Sequence, residues 1–181
     1  METFTGLKEF VDNPYYLEQR QKSLRFLDMS TIDAPIIDII EGFTRLSYCF
    51  TLQSCFGHFV YKDQEDEGNT EPLPVSEKIT TVKYRIAYIA LCLEDSDAGR
   101  QLFHELSRVP LINPDFIQFA CAEWFWKDYL NSYALQVEPE RYKTKDRCTV
   151  SYHEALLIEK VRNEFFAEIK RIITKRLIGV K

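Results

Sequence analysis

Reactive and polar side chains come close together in residues 51–58, where a hydroxyl, a thiol and an imidazole follow an apolar run. The apolar run is typical of a buried strand, and Gly57 allows the backbone to turn or to approach a ligand closely. Small polar residues at the end of such a strand are expected to gather at its rim. The sequence therefore predicts a partly open ligand-binding cavity lined by Ser54, Cys55, Gly57 and His58.

Two more specific kinds of chemistry are alternatives for this segment. Cys55 and His58 stand at a spacing seen between metal ligands, but zinc takes four ligands, or three and a water, and no second closely spaced Cys or His pair follows. Cys55 as a nucleophile would need a base such as His58, His104 or His153, and cysteine enzymes usually take that base from far away in the sequence. The sequence favours a ligand site without a metal and leaves any catalytic residue unassigned.

Two carboxylates interrupt apolar segments further along the chain. Glu123 lies within a predicted strand over residues 116–126, and Glu138 follows a predicted strand over residues 133–137. A carboxylate that points into a pocket can accept a proton or bind a ligand. We include both in the predicted ligand site, with an outward-facing Glu123 as the alternative.

The spacing of apolar residues and the helix-capping residues predict the helices and strands that position these side chains. Pro14 begins a first predicted helix, Pro35 a second, and Ser151 a long helix that runs to about residue 176. Strands are predicted over residues 48–52 and 84–94 in addition to the two above. The predicted fold class is α/β (α+β): one domain over residues 1–181, with a four-stranded mixed sheet packed by the N-terminal helices, a short middle helix and the long C-terminal helix.

An acidic, proline-containing stretch over residues 62–80 has little apolar content. It predicts a long mobile loop, which is either a lid beside Cys55 and His58 or a passive insert. Trp124 and Trp126 share one face of the strand predicted there. They could stack on bases, pack under the last helix or form a dimer interface.

Composition narrows the class of protein. The chain has 181 residues, of which 45% are hydrophobic, enough for a packed core, and its five cysteines include no Cys-x-x-Cys pair, so reduced thiols are expected. No stretch is long and apolar enough for a membrane span or a leader peptide, which favours a cytoplasmic protein. Glycine-rich nucleotide loops and the Gly-x-Ser-x-Gly motif are absent from the sequence, which disfavours the usual dinucleotide enzymes, P-loop enzymes and serine hydrolases.

Charge is unevenly distributed. The net charge of −5 argues against a surface that tracks a nucleic-acid backbone throughout, but residues 160–181 hold seven basic and two acidic side chains. This end of the last helix is either a solvated face or a contact for an anion such as RNA.

Three pieces in order resemble the amino-terminal part of the wybutosine-synthesis methyltransferase-like family of tRNA-modifying proteins. They are residues 22–28, residues 32–35 with the isoleucine-rich helix that follows, and residues 50–58. In that family a helix opened by an acidic residue leads into a strand that ends in a Thr-Ser-Ser-Cys-Ser-Gly-Arg motif. Ser54, Cys55 and Gly57 match this motif.

The resemblance continues at residues 135–139, which look like the Phe-Glu-Pro segment of the family and include Glu138. Two positions differ, because His58 stands where the family has arginine and Gln53 stands where it has serine. The resemblance implies S-adenosylmethionine as methyl donor and a modified guanosine in tRNA as substrate.

Two classes of function follow. The prediction is a ligand-binding or assembly domain with a fold like that of tRNA-modifying proteins, which would take a nucleotide-like small molecule or a second copy of itself. The alternative is an S-adenosylmethionine-dependent methyltransferase that acts on a modified tRNA nucleoside.

Overall fold

The computed structural model describes residues 4–142 and 145–179. Five α-helices lie within these residues, namely α1 (Tyr16–Phe26), α2 (Ile37–Thr44), α3 (Asp97–Leu106), α4 (Glu123–Asp128) and α5 (Tyr152–Ile178). The same residues contain eight strands, namely β1 (Phe4–Thr5), β2 (Cys49–Cys55), β3 (His58–Val60), β4 (Thr81–Arg85), β5 (Ala87–Leu93), β6 (Ile117–Ala122), β7 (Ser132–Val137) and β8 (Arg147–Ser151).

The strands form two sheets. One has the order β1-β6-β7-β5-β2 and the other the order β3-β4-β8, and every pairing among them is antiparallel. The α+β class is therefore confirmed, whereas the single four-stranded mixed sheet is wrong. The strand predicted over residues 84–94 is in fact the end of β4 and the whole of β5, which belong to different sheets and are divided at Ile86.

The long helix α5 is the centre of the core. It packs against α2 and against strands of both sheets, including β4, β7 and β8. Its predicted apolar stripe is confirmed, since Ile158, Val161, Phe165, Ile169 and Ile172 are all at most 2% exposed. The hydroxyl of Ser151 accepts a hydrogen bond from the backbone N–H of Glu154, which confirms the predicted cap.

The aromatic segment after β6 differs from the prediction. β6 ends at Ala122, and the next six residues form α4 rather than a continuation of the strand. Trp124 and Trp126 therefore do not alternate on one strand face. Trp124 is 39% exposed and stacks on Phe125, while Trp126 packs edge-on against Tyr133.

The acidic stretch over residues 62–80 is anchored, contrary to the expectation that its few apolar residues could not hold it. Leu73 and Ile79 are buried in the main core, and the backbone N–H of Leu73 donates to Glu159 of α5 at 2.8 Å. The hydroxyl of Tyr152 donates to the Pro74 carbonyl. The sequence signal was weak because two isolated apolar residues show no periodicity.

None of the helices within the described ranges combines the length and the apolar character needed to cross a membrane.

Truncation of Phe165 tests the packing of α5. Phe165 is fully buried, so Phe165→Ala should reduce the free energy of unfolding by about 3 to 5 kcal/mol in chemical denaturation. Leu157→Ala is the matched control, because Leu157 lies on the same helix but is 42% exposed. Equal effects of the two substitutions would contradict the burial of this face.

The anchoring of the acidic stretch predicts a contrast between two neighbours. Leu73→Ala should lower the free energy of unfolding by about 2 to 5 kcal/mol because it removes a core side chain. Val75→Ala should change it by less than about 0.5 kcal/mol because Val75 is fully exposed. A loop without tertiary contacts would give the same small change for both variants in thermal or denaturant unfolding.

Candidate functional site

The chain passes from one sheet to the other through a two-residue turn. β2 ends at Cys55, Phe56 and Gly57 form the turn, and β3 begins at His58. Gly57 has a φ of +90°, and a Cβ at this position would lie 2.8 Å from the Cβ of Ala87. Only glycine fits both the left-handed backbone and this close approach. The turn thus places Cys55 and His58 at the junction of the two sheets.

A third side chain joins them from a distant part of the sequence. Asp33 precedes the 3₁₀ turn Ala34–Ile36, and its Oδ2 lies 3.3 Å from Nε2 of His58. Ligand atoms of Asp33, Cys55 and His58 all lie within 4.8 Å of one another. We call these three residues the Asp33 cluster. Its His58 and Cys55 are buried, and the Asp33 side chain is 22% exposed.

Hydrogen bonds determine the protonation of His58. Its Nδ1 lies 3.1 Å from the backbone carbonyl of Asn69, and its Nε2 faces the Asp33 carboxylate. Both partners can only accept, so both ring nitrogens carry hydrogen and the ring is an imidazolium. The hydrogen bonds to Asp33 and Cys55 outweigh the effect of burial and raise the pKa of His58 to about 10.

Asp33 is the matching anion. Burial disfavours its charged form, but hydrogen bonds from His58 and from the Phe56 N–H, together with the nearby Arg85, outweigh burial and lower the pKa of its carboxyl. The Phe56 N–H donates to Oδ2 at 2.7 Å. Asp33 therefore ties the start of α2 to the turn between the sheets.

Arg162 of α5 supports the turn from the core side. Its Nη1 donates to the Gly57 carbonyl at 2.8 Å, and its guanidinium lies 4.0 Å from the ring centroid of Phe56. The residue is 2% exposed, and burial lowers the pKa of its guanidinium, an effect that Glu159 at 3.7 Å opposes. Arg162 is one of the seven basic residues in the stretch 160–181, for which the sequence predicts a solvated face or an anion contact. Its spacing of four residues from both Ile158 and Phe166 is the signal that places it on the buried face.

A cleft of about 850 Å³ opens beside His58 on the outer face of the three-stranded sheet. Strand register aligns the side chains that line it, because directly paired residues share a face. His58 pairs with Arg85, and Arg85 pairs with Arg147, so three cationic groups form one row across β3, β4 and β8. Lys83 lies in the next row, between Val60 and Thr149.

The positive charge of this cleft is incompletely neutralised. Arg147 forms an ion pair with Glu67 at 2.8 Å. Among the described residues, no acidic group lies within ion-pair distance of Lys83 or Arg85. Like charges that face each other across paired strands, as Arg85 and Arg147 do, destabilise a sheet unless an anion lies between them. The arrangement favours binding of an anion.

The predicted site residues are only partly brought together. Cys55, Gly57 and His58 meet at the turn, but of these His58 is the one that lines the cleft. Ser54 precedes Cys55 on β2, and because successive strand residues point to opposite faces it lies away from the cluster. Of the four residues predicted to line one cavity, His58 lines this cleft, and a ligand-binding role for the other three stays a prediction.

The two carboxylates lie elsewhere. Glu123 is the exposed first residue of α4 and forms an ion pair with Lys8 at 2.8 Å, so the predicted position inside a strand is wrong. Glu138 is fully buried at the end of β7, where it accepts a hydrogen bond from Gln136 at 3.2 Å. Neither residue lines the cleft.

The basic end of α5 is engaged within the chain. Lys175 and Arg176 both form ion pairs with Glu105 of α3, and Arg171 pairs with Glu168 one turn earlier. These contacts leave less free positive charge than the sequence indicates. The RNA contact proposed for this end stays a prediction.

Replacement of Asp33 tests the charge state of His58. In chelator-treated protein the nitrogen-15 signals of the ring should remain those of an imidazolium up to about pH 10. Asp33→Asn removes the carboxylate, so the pKa of His58 should fall toward its ordinary value of 6.5. Asp38→Asn is the control, because Asp38 pairs with Lys170 on the surface. An unchanged titration in Asp33→Asn would refute the pairing.

The same pair sets a pH dependence of stability. Because the folded-state pKa of His58 is raised, its stabilising effect is complete below about pH 6.5 and is lost as the pH rises through about 10. The difference between the free energies of unfolding of the original chain and Asp33→Asn should therefore shrink over this range.

Comparisons with known proteins give little further information. No family model matches the chain, and no curated protein matches it. Among solved structures it is similar to the PH1069 protein from Pyrococcus horikoshii, with 10% sequence identity and a TM-score of 0.48 over 92% of this chain and 95% of that chain. The resemblance to the wybutosine-synthesis family stays a prediction.

Proposed function

We propose that the protein binds a phosphate-bearing, nucleotide-like ligand in the basic cleft. The observation that carries the proposal is Arg85, which lies in one row with His58 and Arg147 and has no acidic partner within ion-pair distance among the described residues. A planar guanidinium on a strand presents fixed donors that match the oxygens of a phosphate group. Lys83 in the adjacent row adds a second cation.

Shape and lining support a ligand of nucleotide size. The cleft volume of about 850 Å³ falls within the range of small-molecule sites, about 300 to 1,000 Å³. Tyr61 and Tyr142 line it and are half-buried, so aromatic faces are available beside the cations. Aromatic faces beside cations are the combination that binds a base and its phosphate together.

The ligand of the methyltransferase alternative, S-adenosylmethionine, differs in charge from a nucleotide. S-adenosylmethionine carries a sulfonium, an ammonium and a carboxylate group, and its net positive charge makes it a poorer ligand for the cations of the cleft than an anion. The phosphates of a nucleotide or of an RNA end are attracted by the same residues. We therefore favour binding of a phosphate-bearing ligand and keep S-adenosylmethionine as the competing probe.

Isothermal titration calorimetry and thermal unfolding with three probes test the proposal. AMP should bind and stabilise the fold by about 2.7 kcal/mol at 100 times its dissociation constant. Adenosine, which lacks the phosphate, should bind more weakly. Binding of S-adenosylmethionine without binding of AMP would overturn the proposal and favour the methyltransferase. Failure of all three to bind would overturn it and favour an assembly role.

Arg85 provides the matched variant. Arg85→Gln should weaken AMP binding by about 10- to 100-fold, since a hydrogen bond to a charged group contributes about 1.5 to 3 kcal/mol. Arg45→Gln removes the same charge from an exposed position outside the cleft and should leave the affinity nearly unchanged. Equal effects of the two variants would mean that only the overall charge of the protein matters.

A further inference from the structure

We infer that Asp33, Cys55 and His58 form a binding site for a divalent transition metal of the zinc type. The three side chains come from separate elements, and their ligand atoms lie within 4.8 Å of one another. They offer one oxygen, one sulfur and one nitrogen donor, a set that suits zinc better than magnesium or calcium, which take oxygen ligands. The sequence shows Cys55 and His58 as a pair, and the fold supplies Asp33 as the third ligand.

Backbone groups orient each of the three ligands. Nδ1 of His58 lies 3.1 Å from the Asn69 carbonyl, which leaves Nε2 directed at the other two ligands. Metal-bound histidines usually donate their second ring N–H in this way. The Phe56 N–H donates to Asp33 at 2.7 Å, and the Gly57 N–H donates to the Cys55 sulfur at 3.4 Å. The same turn therefore positions both the carboxylate and the thiol.

Charge balance allows a metal in this buried position. Without a metal, the imidazolium of His58 and the carboxylate of Asp33 neutralise each other beside a thiol. When Zn²⁺ binds, the proton on Nε2 and the thiol proton pass to water, and the metal forms bonds to Nε2, the sulfur and the carboxylate. Two negative ligands, one neutral ligand and a doubly charged ion again give a neutral group. The metal therefore adds no net buried charge.

The Asp33 cluster adjoins the cleft through His58. His58 lines the cleft, while Cys55 is 3% exposed. Zinc sites with three protein ligands keep a fourth position for water or a bound molecule, unlike closed structural sites with four protein ligands. The site proposed here belongs to the open class and does not depend on the ligand proposed for the cleft.

Titration of the full chain with metal alone tests the inference. After treatment with a chelator, the protein should bind one Zn²⁺ per chain by isothermal titration calorimetry in nucleotide-free buffer. Co²⁺ in place of Zn²⁺ should produce a thiolate-to-metal charge-transfer band in the near ultraviolet and the intense visible bands of four-coordinate cobalt. The absence of Zn²⁺ binding, or a cobalt spectrum without the thiolate band, would overturn the site.

Matched variants assign the ligands. Loss of a group that only orients a ligand lowers metal affinity by about 10- to 100-fold. Cys55→Ser and His58→Gln change the ligands themselves, so each should lower the affinity for Zn²⁺ by at least about 100-fold. Cys148→Ser is the control, because Cys148 is a buried cysteine that lines the same cleft outside the Asp33 cluster. It should retain the affinity of the original chain. Unchanged binding in Cys55→Ser and His58→Gln would mean that the metal binds elsewhere.

Circular dichroism separates loss of a ligand from loss of the fold. If Cys55→Ser does not fold, Asp33→Asn takes its place, since it keeps the shape of the side chain while it removes the anionic ligand. Its effects on stability and on the pKa of His58 are measured separately in the metal-free variant. A cobalt spectrum of the unaltered chain that lacks the thiolate band overturns the site without any variant. AMP titration tests the cleft separately, so failure of one proposal is distinguishable from failure of the other.

Discussion

The close approach of Gly57 to Ala87 fixes the junction on which both sheets and the Asp33 cluster depend. A Cβ on Gly57 would lie 2.8 Å from the Ala87 side chain, so the two backbones pass each other at a distance that other residues cannot reach. The chain changes sheets twice here, once between β2 and β3 and once between β4 and β5. Because both crossings are tight, the end of β2 and the start of β3 have little freedom. The positions of Cys55 and His58 follow from this constraint.

Arg162 connects this junction to the main core. A buried guanidinium is costly unless it is partnered, and here it meets the Gly57 carbonyl, the ring of Phe56 and the carboxylate of Glu159. Glu159 also accepts the N–H of Leu73, so one carboxylate holds both the arginine and the acidic stretch. The acidic stretch in turn supplies the Asn69 carbonyl to His58. Helix α5, the acidic stretch and the cluster are thus parts of one polar network.

The sequence predicted the parts of this structure that have local signals. The apolar stripe of α5, its Ser151 cap and the isoleucine-rich α2 follow from spacing of three and four residues. The prediction of a site at Cys55, Gly57 and His58 followed from a thiol and an imidazole that lie beside a glycine in the sequence. Asp33 was missed as a site residue because Asp-Ala-Pro is also a typical helix start, and nothing local shows that its carboxylate turns to the Phe56 N–H instead of capping the helix.

Non-local pairing accounts for the other differences. The alternation of exposed and buried residues in β4 and β8 can be seen in the sequence once the bounds of these strands are known. Nothing local shows that the two strands pair, because the paired residues are more than sixty positions apart in the sequence. The row of His58, Arg85 and Arg147 arises from the register of β3 with β4 and of β4 with β8. Glu123 was misplaced because an apolar, aromatic segment suits a strand and a buried helical turn equally well.

The pairing of Arg85 with Arg147 across two strands also bears on how the sequence of this protein evolves. Arg85 and Arg147 face each other across paired strands, and Glu67 neutralises only Arg147, so a neutral residue at position 85 would relieve the remaining repulsion. Selection for a more durable fold alone would thus remove one of these arginines. Under the proposed role of the cleft, their presence would be an example of the compromise by which proteins give up stability where a ligand binds. Homologues that lack one of the pair would then be expected to bind the anion less tightly.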